Sequence, residues 1–290
     1  MYRLIVLFLI LFLFLGCVPS TIPPDVVPDA PPQRIVSTLP SITEVLFDIG
    51  LGSRIVGDSF YTKYPPETAK IAKIGGLYDI NREKIITLKP DLIILSAEHE
   101  SLRPFLSAPI LIVDHQTLSG VLDSYLIIGE MFGTETLTTA RKKRQELLDK
   151  LNTMQANTNG KEPIRTLICI DRSSGTGRIQ NLWVAGADSF LNDVVARAGG
   201  TNVMASSRLS SLMLSVEGIL DLAPDVIIDI QISGMDLAQS MSDWESLGNN
   251  VPAVKHRRIL TLTDDFASIP GPRTPMLIEK IVQYYKSIEF

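Results

Sequence analysis

Two carboxylates in this sequence, Glu83 and Glu217, stand at the head of one repeated stretch. Glu83-Lys-Ile-Ile-Thr-Leu-Lys-Pro-Asp-Leu-Ile-Ile94 aligns without a gap on Glu217-Gly-Ile-Leu-Asp-Leu-Ala-Pro-Asp-Val-Ile-Ile228. Acids placed alike at two points could act in acid–base chemistry or in charge pairing with a partner. The first use lacks its companions: there is no Gly-x-Ser-x-Gly elbow, no phosphate loop ending in Gly-Lys-Ser/Thr and no histidine-based metal motif. Gly175-Thr-Gly177 is a turn rather than a nucleotide loop, and Asp264-Asp265 is an adjacent loop pair expected to be solvated. His99, His115 and His256 show no ligand spacing, so no metal site is expected. The chain reads as a non-enzyme without a cofactor of its own.

The elements that position the two acids can be read from the same stretch. In each copy apolar residues recur at helical spacing (Ile85, Ile86, Leu88; Ile219, Leu220, Leu222), Pro-Asp breaks the helix, and a short apolar run follows. That is helix, breaker, buried strand. A repeat so widely separated points to two lobes built on one plan rather than to a stacked solenoid. Over 290 residues the 45% apolar content suffices for two modest cores, and a net charge of −5 without a basic stripe argues against nucleic acid.

The N-terminus has the features of a secretion signal: Arg3, an uninterrupted apolar run from Leu4 to Leu15, then Gly16-Cys17. About 20 apolar residues are needed to span a bilayer, and this run is shorter. Phe14-Leu15-Gly16-Cys17 resembles a bacterial lipoprotein box, which implies removal of residues 1–16, before the cysteine, and lipidation of the Cys17 thiol. An uncleaved anchor is the alternative, and either one holds the protein to a membrane from outside the cytoplasm. Residues 18–33, rich in proline, read as an extended tether. Cys169, in the apolar run Thr166-Leu-Ile-Cys-Ile170, is left without an intrachain partner and is expected in the core.

Residues 34–132 alternate short apolar strands with helices and are expected to form the first α/β lobe. Its first helix is predicted over 41–50, with Ser41 as N-cap, Glu44 in the capping-box position and Gly50 as stop. A long amphipathic segment, 134–157 within a linking region 133–158, is predicted as one helix joining two lobes, its basic cluster (Arg141 to Arg144) on a solvated face. Residues 159–290 repeat the alternation. The predicted fold class is α/β with two lobes, each a mainly parallel sheet flanked by helices, joined by one long interlobe helix.

In this order and spacing the sequence resembles the iron-siderophore and cobalamin class of periplasmic substrate-binding proteins. The residues that carry the likeness are Arg34-Ile-Val with Pro40-Ser-Ile-Thr-Glu44 and Gly50, Tyr64-Pro-Pro66, the two glutamate stretches, and Gly186-Ala-Asp-Ser-Phe-Leu191 with Ala198-Gly-Gly-Thr-Asn-Val203. The resemblance implies a helix-bridged pair of lobes with little hinge closure. It also implies that Glu83 and Glu217 dock on arginines of the two permease subunits. The alternative for each is an acid favouring the positive end of its own helix. The expected partners are an ABC permease dimer with its cytoplasmic ATPase, a small-molecule metal chelate, and the membrane through the lipid anchor. The chain is expected to be an extracytoplasmic monomer.

In open α/β sheets ligands bind beyond the carboxyl ends of strands. The candidates in those places are Ser37 to Leu39, Ser59 to Tyr61, Tyr78, Ser96 to His99, Asp114-His115, Arg172, Gln231 to Ser233, and Asp265-Phe266 with Arg273. Tyr61, in a shared Tyr-x-x-Tyr-Pro-Pro context, matches a cleft tyrosine of the cobalamin-binding members. Where those members place aromatic residues, this chain has Leu77, Ser96 and Ser211. The pocket is therefore expected to be recomposed around Tyr61, Tyr78, Trp183 and Phe266, with Arg172 and Arg273 as cations for an anionic ferric siderophore. Cobalamin or another corrinoid stands ahead of a ferric siderophore. Haem, with Tyr61, Tyr78 or His115 as axial ligand, remains open, as does a surface lipoprotein reusing the fold for adhesion or sensing.

Overall fold

The computed structural model describes residues 30–156, 162–231 and 237–288. The signal segment with Cys17, most of the tether, and Ile232 and Ser233 lie outside the described residues. The first lobe contains β1 (Ile35–Ser37), α1 (Pro40–Asp48), β2 (Ile55–Asp58), β3 (Ala72–Lys73), α2 (Arg82–Thr87), β4 (Leu92–Ser96), β5 (Ile110–Val113) and α3 (Leu118–Met131). Its sheet is parallel throughout, in the order β3-β2-β1-β4-β5. Helices cover both faces, which is why β4 is an unbroken buried run rather than an alternating one. Gly57 of β2 lets α2 settle on the sheet, since a Cβ there would come within 2.7 Å of the Leu88 side chain.

Helix α1 departs from its predicted start. Pro40 occupies the first turn, where its missing N–H costs no hydrogen bond, and the N-cap is Leu39 with no side-chain bond. Ser41 and Glu44 are thereby released from capping. Ser41 Oγ lies 2.9 Å from His115 Nδ1, and Glu44 turns to the other lobe.

Helix α4 (Thr134–Ala156) spans 23 residues, roughly 34 Å at 1.5 Å per residue. It packs on α3 of the first lobe and on two helices of the second, with Ala140, Leu147 and Leu151 buried along one stripe. The basic cluster divides. Arg141 and Lys142 are exposed, but Lys143 pairs with Asp48 at 3.1 Å and Arg144 donates to the Leu122 carbonyl at 3.1 Å. Half of the expected solvated face is thus a clamp onto the first lobe.

The second lobe contains β6 (Ile164–Ser173), β7 (Gln180–Ala185), α5 (Phe190–Ala198), β8 (Gly200–Asn202), β9 (Ser211–Met213), α6 (Val216–Leu222), β10 (Val226–Ile230), α7 (Leu237–Glu245), α8 (Pro252–Lys255), β11 (Ile259–Leu262) and α9 (Thr274–Ser287). Its sheet runs β11-β10-β6-β7-β9 with β8 on β6. Strands β11, β10, β6 and β8 are parallel, whereas β7 runs antiparallel to both β6 and β9. The chain reverses between β6 and β7 through Gly175 and Gly177, both at φ 70°, a conformation that glycine adopts without a Cβ clash. One buried cluster takes in Leu46 of α1, Leu147 of α4, Val194 of α5 and Ile278 of α9, so the lobes share continuous apolar packing. Cys169 is fully buried in β6, where burial pushes its thiol pKa up.

Candidate functional site

The duplicated stretch is reproduced in three dimensions. Asn81 caps α2 by accepting from the Lys84 N–H, and Ser215 caps α6 by accepting from the Gly218 N–H. Glu83 and Glu217 therefore occupy the same second helical position, where the positive end of each helix favours a carboxylate. Both are exposed, and neither joins an ion pair among the described residues. Beneath them Ile85 and Ile219 are fully buried anchors.

The far end of each helix is held by an arginine that the repeat alignment does not contain. Arg34 Nη2 donates to the Leu88 carbonyl at 2.6 Å, and Arg165 Nη2 donates to the equivalent Leu222 carbonyl at 2.5 Å. Asp91 and Asp225 return the link, each N–H donating to the carbonyl of that same arginine. Cationic side chains on orphan carbonyls are favourable both as caps and against the helix dipole. The two acids thus ride on helices fixed at both ends in the same manner.

The carboxyl ends of the parallel strands open on a cleft of about 350 Å³ between the lobes. From the first lobe it is lined by Leu39, Leu77, Ser96, Glu98, Asp114 and His115, and from the second by Ile170, Phe190, Ser211, Ile230, Ser268 and Pro270. A backbone hydrogen bond crosses between them, Phe190 N–H to the Gln116 carbonyl at 2.7 Å. His115 has both ring nitrogens within 2.9 Å of hydroxyls, Ser41 and Ser124, and burial pushes its pKa down to about 3. It is a neutral wall residue with no nitrogen free for a haem iron. His99 holds the neighbouring wall: Nε2 donates to the Leu77 carbonyl at 2.8 Å and Nδ1 lies 3.0 Å from Thr38 Oγ1.

None of the six expected ligand residues lines this cleft. The Arg172 side chain is 0% exposed. It meets Asp229 at 2.9 Å, Asp243 at 2.7 Å and Ser240 Oγ at 2.9 Å. Burial works to raise the Asp229 and Asp243 pKa values, but bonds from Arg172 outweigh it and hold both below the ordinary carboxylate range. Asp243 also accepts from the N–H groups of Gly175 and Gly177, so this arginine organises the β6–β7 turn rather than meeting a ligand. Arg273 is spent in the same way, on Glu44 at 2.6 Å and Asp265 at 2.8 Å, with its guanidinium 4.5 Å from the Tyr64 ring. Phe266 is buried below it. The two cations expected to receive an anion are satisfied inside the protein.

The aromatic residues stand beside the cleft rather than within it. Tyr78, 96% exposed, adjoins the lining residue Leu77 in sequence, and Tyr61, 61% exposed, packs by Gly76. Trp183, 39% exposed, pairs in register with Met213 on β9, the strand that brings Ser211 to the cleft. Lining residues outside the strand-end candidates include Leu77, Gln116, Ser189, Phe190, Ser210 and Ser268. Of these, Ser189 and Phe190 belong to the Gly186-Ala-Asp-Ser-Phe-Leu191 motif and Leu77 to the places where the cobalamin-binding members carry aromatic residues. Among the described residues that line the cleft, the charged side chains are Glu98 and Asp114, with no lysine or arginine.

Residues 35–266 match the model of the periplasmic binding protein family. The chain is 28% identical over 271 residues to the ABC transporter substrate-binding lipoprotein YvrC of Bacillus subtilis, covering 89% of this chain and 80% of that one. The crystal structure of the periplasmic vitamin B12 binding protein BtuF of Vibrio cholerae superposes with a TM-score of 0.72 at 25% identity, over 88% of this chain and 97% of that one. The heme-binding protein RhuT from Roseiflexus gives the same TM-score at 22% identity, over 88% and 98% of the two chains, a likeness of fold. Proteins of this kind bind substrates for transport rather than convert them, and they work outside the cytoplasm. A two-lobed α/β fold, a cleft at the strand ends and a family match over most of its length agree: the chain belongs to the periplasmic binding protein family, among the substrate-binding proteins of ABC importers.

Proposed function

We propose that the chain captures a corrinoid in the interlobe cleft and delivers it to a membrane permease powered by a cytoplasmic ATPase. In this reading it acts as a monomer tethered outside the membrane through lipidated Cys17, and Glu83 and Glu217 dock on the two permease subunits. The observation that carries the ligand is the charge of the cleft wall: two carboxylates, six serines and no cation among the described lining residues. Ferric siderophores of the anionic kind and haem, with its propionates, present negative charge to their binder and call for arginine or lysine. A corrinoid presents amides and a flat apolar ring edge, which hydroxyls and residues such as Leu39, Phe190 and Ile230 can meet. The exposed Tyr61, Tyr78 and Trp183 beside the cleft are proposed to extend that contact when the ligand is seated.

The test is to purify residues 18–290 and titrate cobalamin, haem and ferric siderophores, following absorbance and tryptophan fluorescence. Submicromolar binding of cobalamin alone is expected. Binding of haem or a siderophore alone replaces the ligand, and binding of none transfers the fold to adhesion or sensing.

A further inference from the structure

Among the described residues, the cleft wall carries two carboxylates and no lining cation. Glu98 follows β4 and Asp114 follows β5, adjacent parallel strands, so the two carboxylates stand side by side at the carboxyl ends. Gln116 joins them: its Nε2 donates to Glu98 Oε1 at 3.4 Å and its backbone N–H donates to Asp114 Oδ1 at 2.9 Å. Thr117 Oγ1 adds a longer bond to Asp114 at 3.4 Å. These donors are neutral, and neither acid is ion-paired among the described residues. The two arginines that chain order offered as counter-charges are held by Asp229, Asp243, Glu44 and Asp265. A concave wall with one sign of charge concentrates its field on whatever enters.

We propose that Glu98 and Asp114 set the charge class of the cargo, selecting chelates with a positive periphery over neutral ones and excluding those with a negative one. The inference rests on the cleft being the cargo site, as proposed above, and not on the cargo being a corrinoid. Coulomb attraction over a few ångström at the edge of a protein is worth roughly three- to tenfold in affinity for each carboxylate. Because both groups are open to solvent, the preference weakens as salt shortens the screening length.

The test uses the full chain in mild detergent and two matched probe pairs at low ionic strength. One pair is a corrinoid carrying a single side-chain amine and the same corrinoid carrying a carboxylate. The other is an N-methylpyridyl porphyrin and its sulfonated counterpart. In whichever scaffold enters the cleft, the cationic member is expected to bind at least about tenfold tighter. That ratio should fall towards one in the Glu98→Gln, Asp114→Asn double variant and in raised salt, with the neutral amides keeping the Gln116 bonds and the unfolding midpoint unchanged. A ratio near one in the unaltered protein, a ratio that the double variant leaves intact, or binding of neither scaffold overturns the proposal. Charge-selective porphyrin binding without corrinoid binding removes the corrinoid reading and leaves the charge selection standing. Corrinoid binding indifferent to charge does the reverse.

Discussion

Glu44 of α1 and Arg273, 229 positions later and just before α9, meet at 2.6 Å between the lobes, with only 1% and 11% of their side chains exposed. Asp265 closes the pair into a triad. Burial raises the Glu44 pKa and Arg273 pulls it only part of the way back, so the carboxylate depends on its partner to stay charged. Removing one member of such a pair strands a buried charge and typically costs about 3–5 kcal/mol, while replacing both with apolar groups costs far less. Arg273→Met alone should therefore lower the urea midpoint more than the Glu44→Leu, Arg273→Met double variant. Equal losses in the single and double variants would show that the pair does not couple the lobes.

Asp58 at the end of β2 predicts a fall in stability with rising pH. Its pKa is raised to about 6 by burial, against the pull of Lys73, whose Nζ lies 2.8 Å from Oδ1; the other oxygen, Oδ2, is buried without a partner. A raised folded-state pKa means that the folded protein holds the proton more firmly than the unfolded chain. Its contribution is complete below the ordinary value of 3.8 and is lost as pH climbs through about 6. At about 1.4 kcal/mol per unit this amounts to roughly 3 kcal/mol. Asp58→Asn keeps a neutral group there, and urea unfolding of this variant should show a smaller decline across that interval, the remainder coming from Glu44, whose pKa burial also raises. A decline matching the unaltered protein would locate the titrating group elsewhere.

The predicted architecture held where the determining interactions are local. Helix, Pro-Asp breaker and strand are encoded within a dozen neighbouring residues, and α2–β4 and α6–β10 form as read. The side chains of Arg172 and Arg273 could not be placed this way. Apart from Asp265, eight positions from Arg273, their carboxylate partners lie 57, 71 and 229 positions away, and nothing in an arginine's own surroundings distinguishes a ligand cation from one consumed by distant carboxylates. Ser41 and Glu44 fit a capping box, yet Pro40 starts the helix two residues earlier than a Ser41 cap would, and frees both for tertiary contacts. Ser96 and Ser211 came from strand ends and the family likeness, whereas Ser210 and Ser268 had no signal of their own. Serine carries no periodic signal, and the three-residue strand β9 that brings Ser211 to the wall is too short to read from pattern. What the turn at Gly175-Thr-Gly177 does not show in sequence is that β7 comes straight back along β6, antiparallel to it.

The Arg172 network predicts the opposite pH response. Asp229 and Asp243 are held below the ordinary carboxylate range, so they contribute stability present at neutral pH and lost as pH falls below about 4. Trp244 Nε1 donates to Asp229 at 2.9 Å, which ties the indole to the same carboxylate. Arg172→Leu leaves two buried acids without their cation and should cost about 3–5 kcal/mol in urea at pH 7. The cost should shrink in acid as the stranded carboxylates take up protons. A loss of the same size at neutral and acid pH would mean that packing, not charge, is what Arg172 supplies.

The repeated glutamates predict a separation of capture from delivery. Glu83 and Glu217 are exposed at the second position of matched helices and line no part of the cleft. Under the proposed docking role, reversing their charge opposes the permease contact, while cleft, core and caps stay as they are. Like charges opposed across an interface cost several kcal/mol, so Glu83→Lys or Glu217→Lys alone should reduce uptake about tenfold, and the double variant about a hundredfold or more. Ligand affinity should stay within about twofold of the unaltered protein, because neither side chain reaches the wall. The Arg34 and Arg165 anchors allow a second check. Arg34→Ala with Arg165→Ala frees the far ends of both helices without touching either acid, and it should weaken uptake by less than charge reversal at unchanged ligand affinity. Uptake assays in cells carrying the importer, run beside equilibrium ligand titration of each purified variant, measure the two quantities separately. If affinity falls in step with uptake, the two acids serve the ligand or the fold, and the docking role is lost.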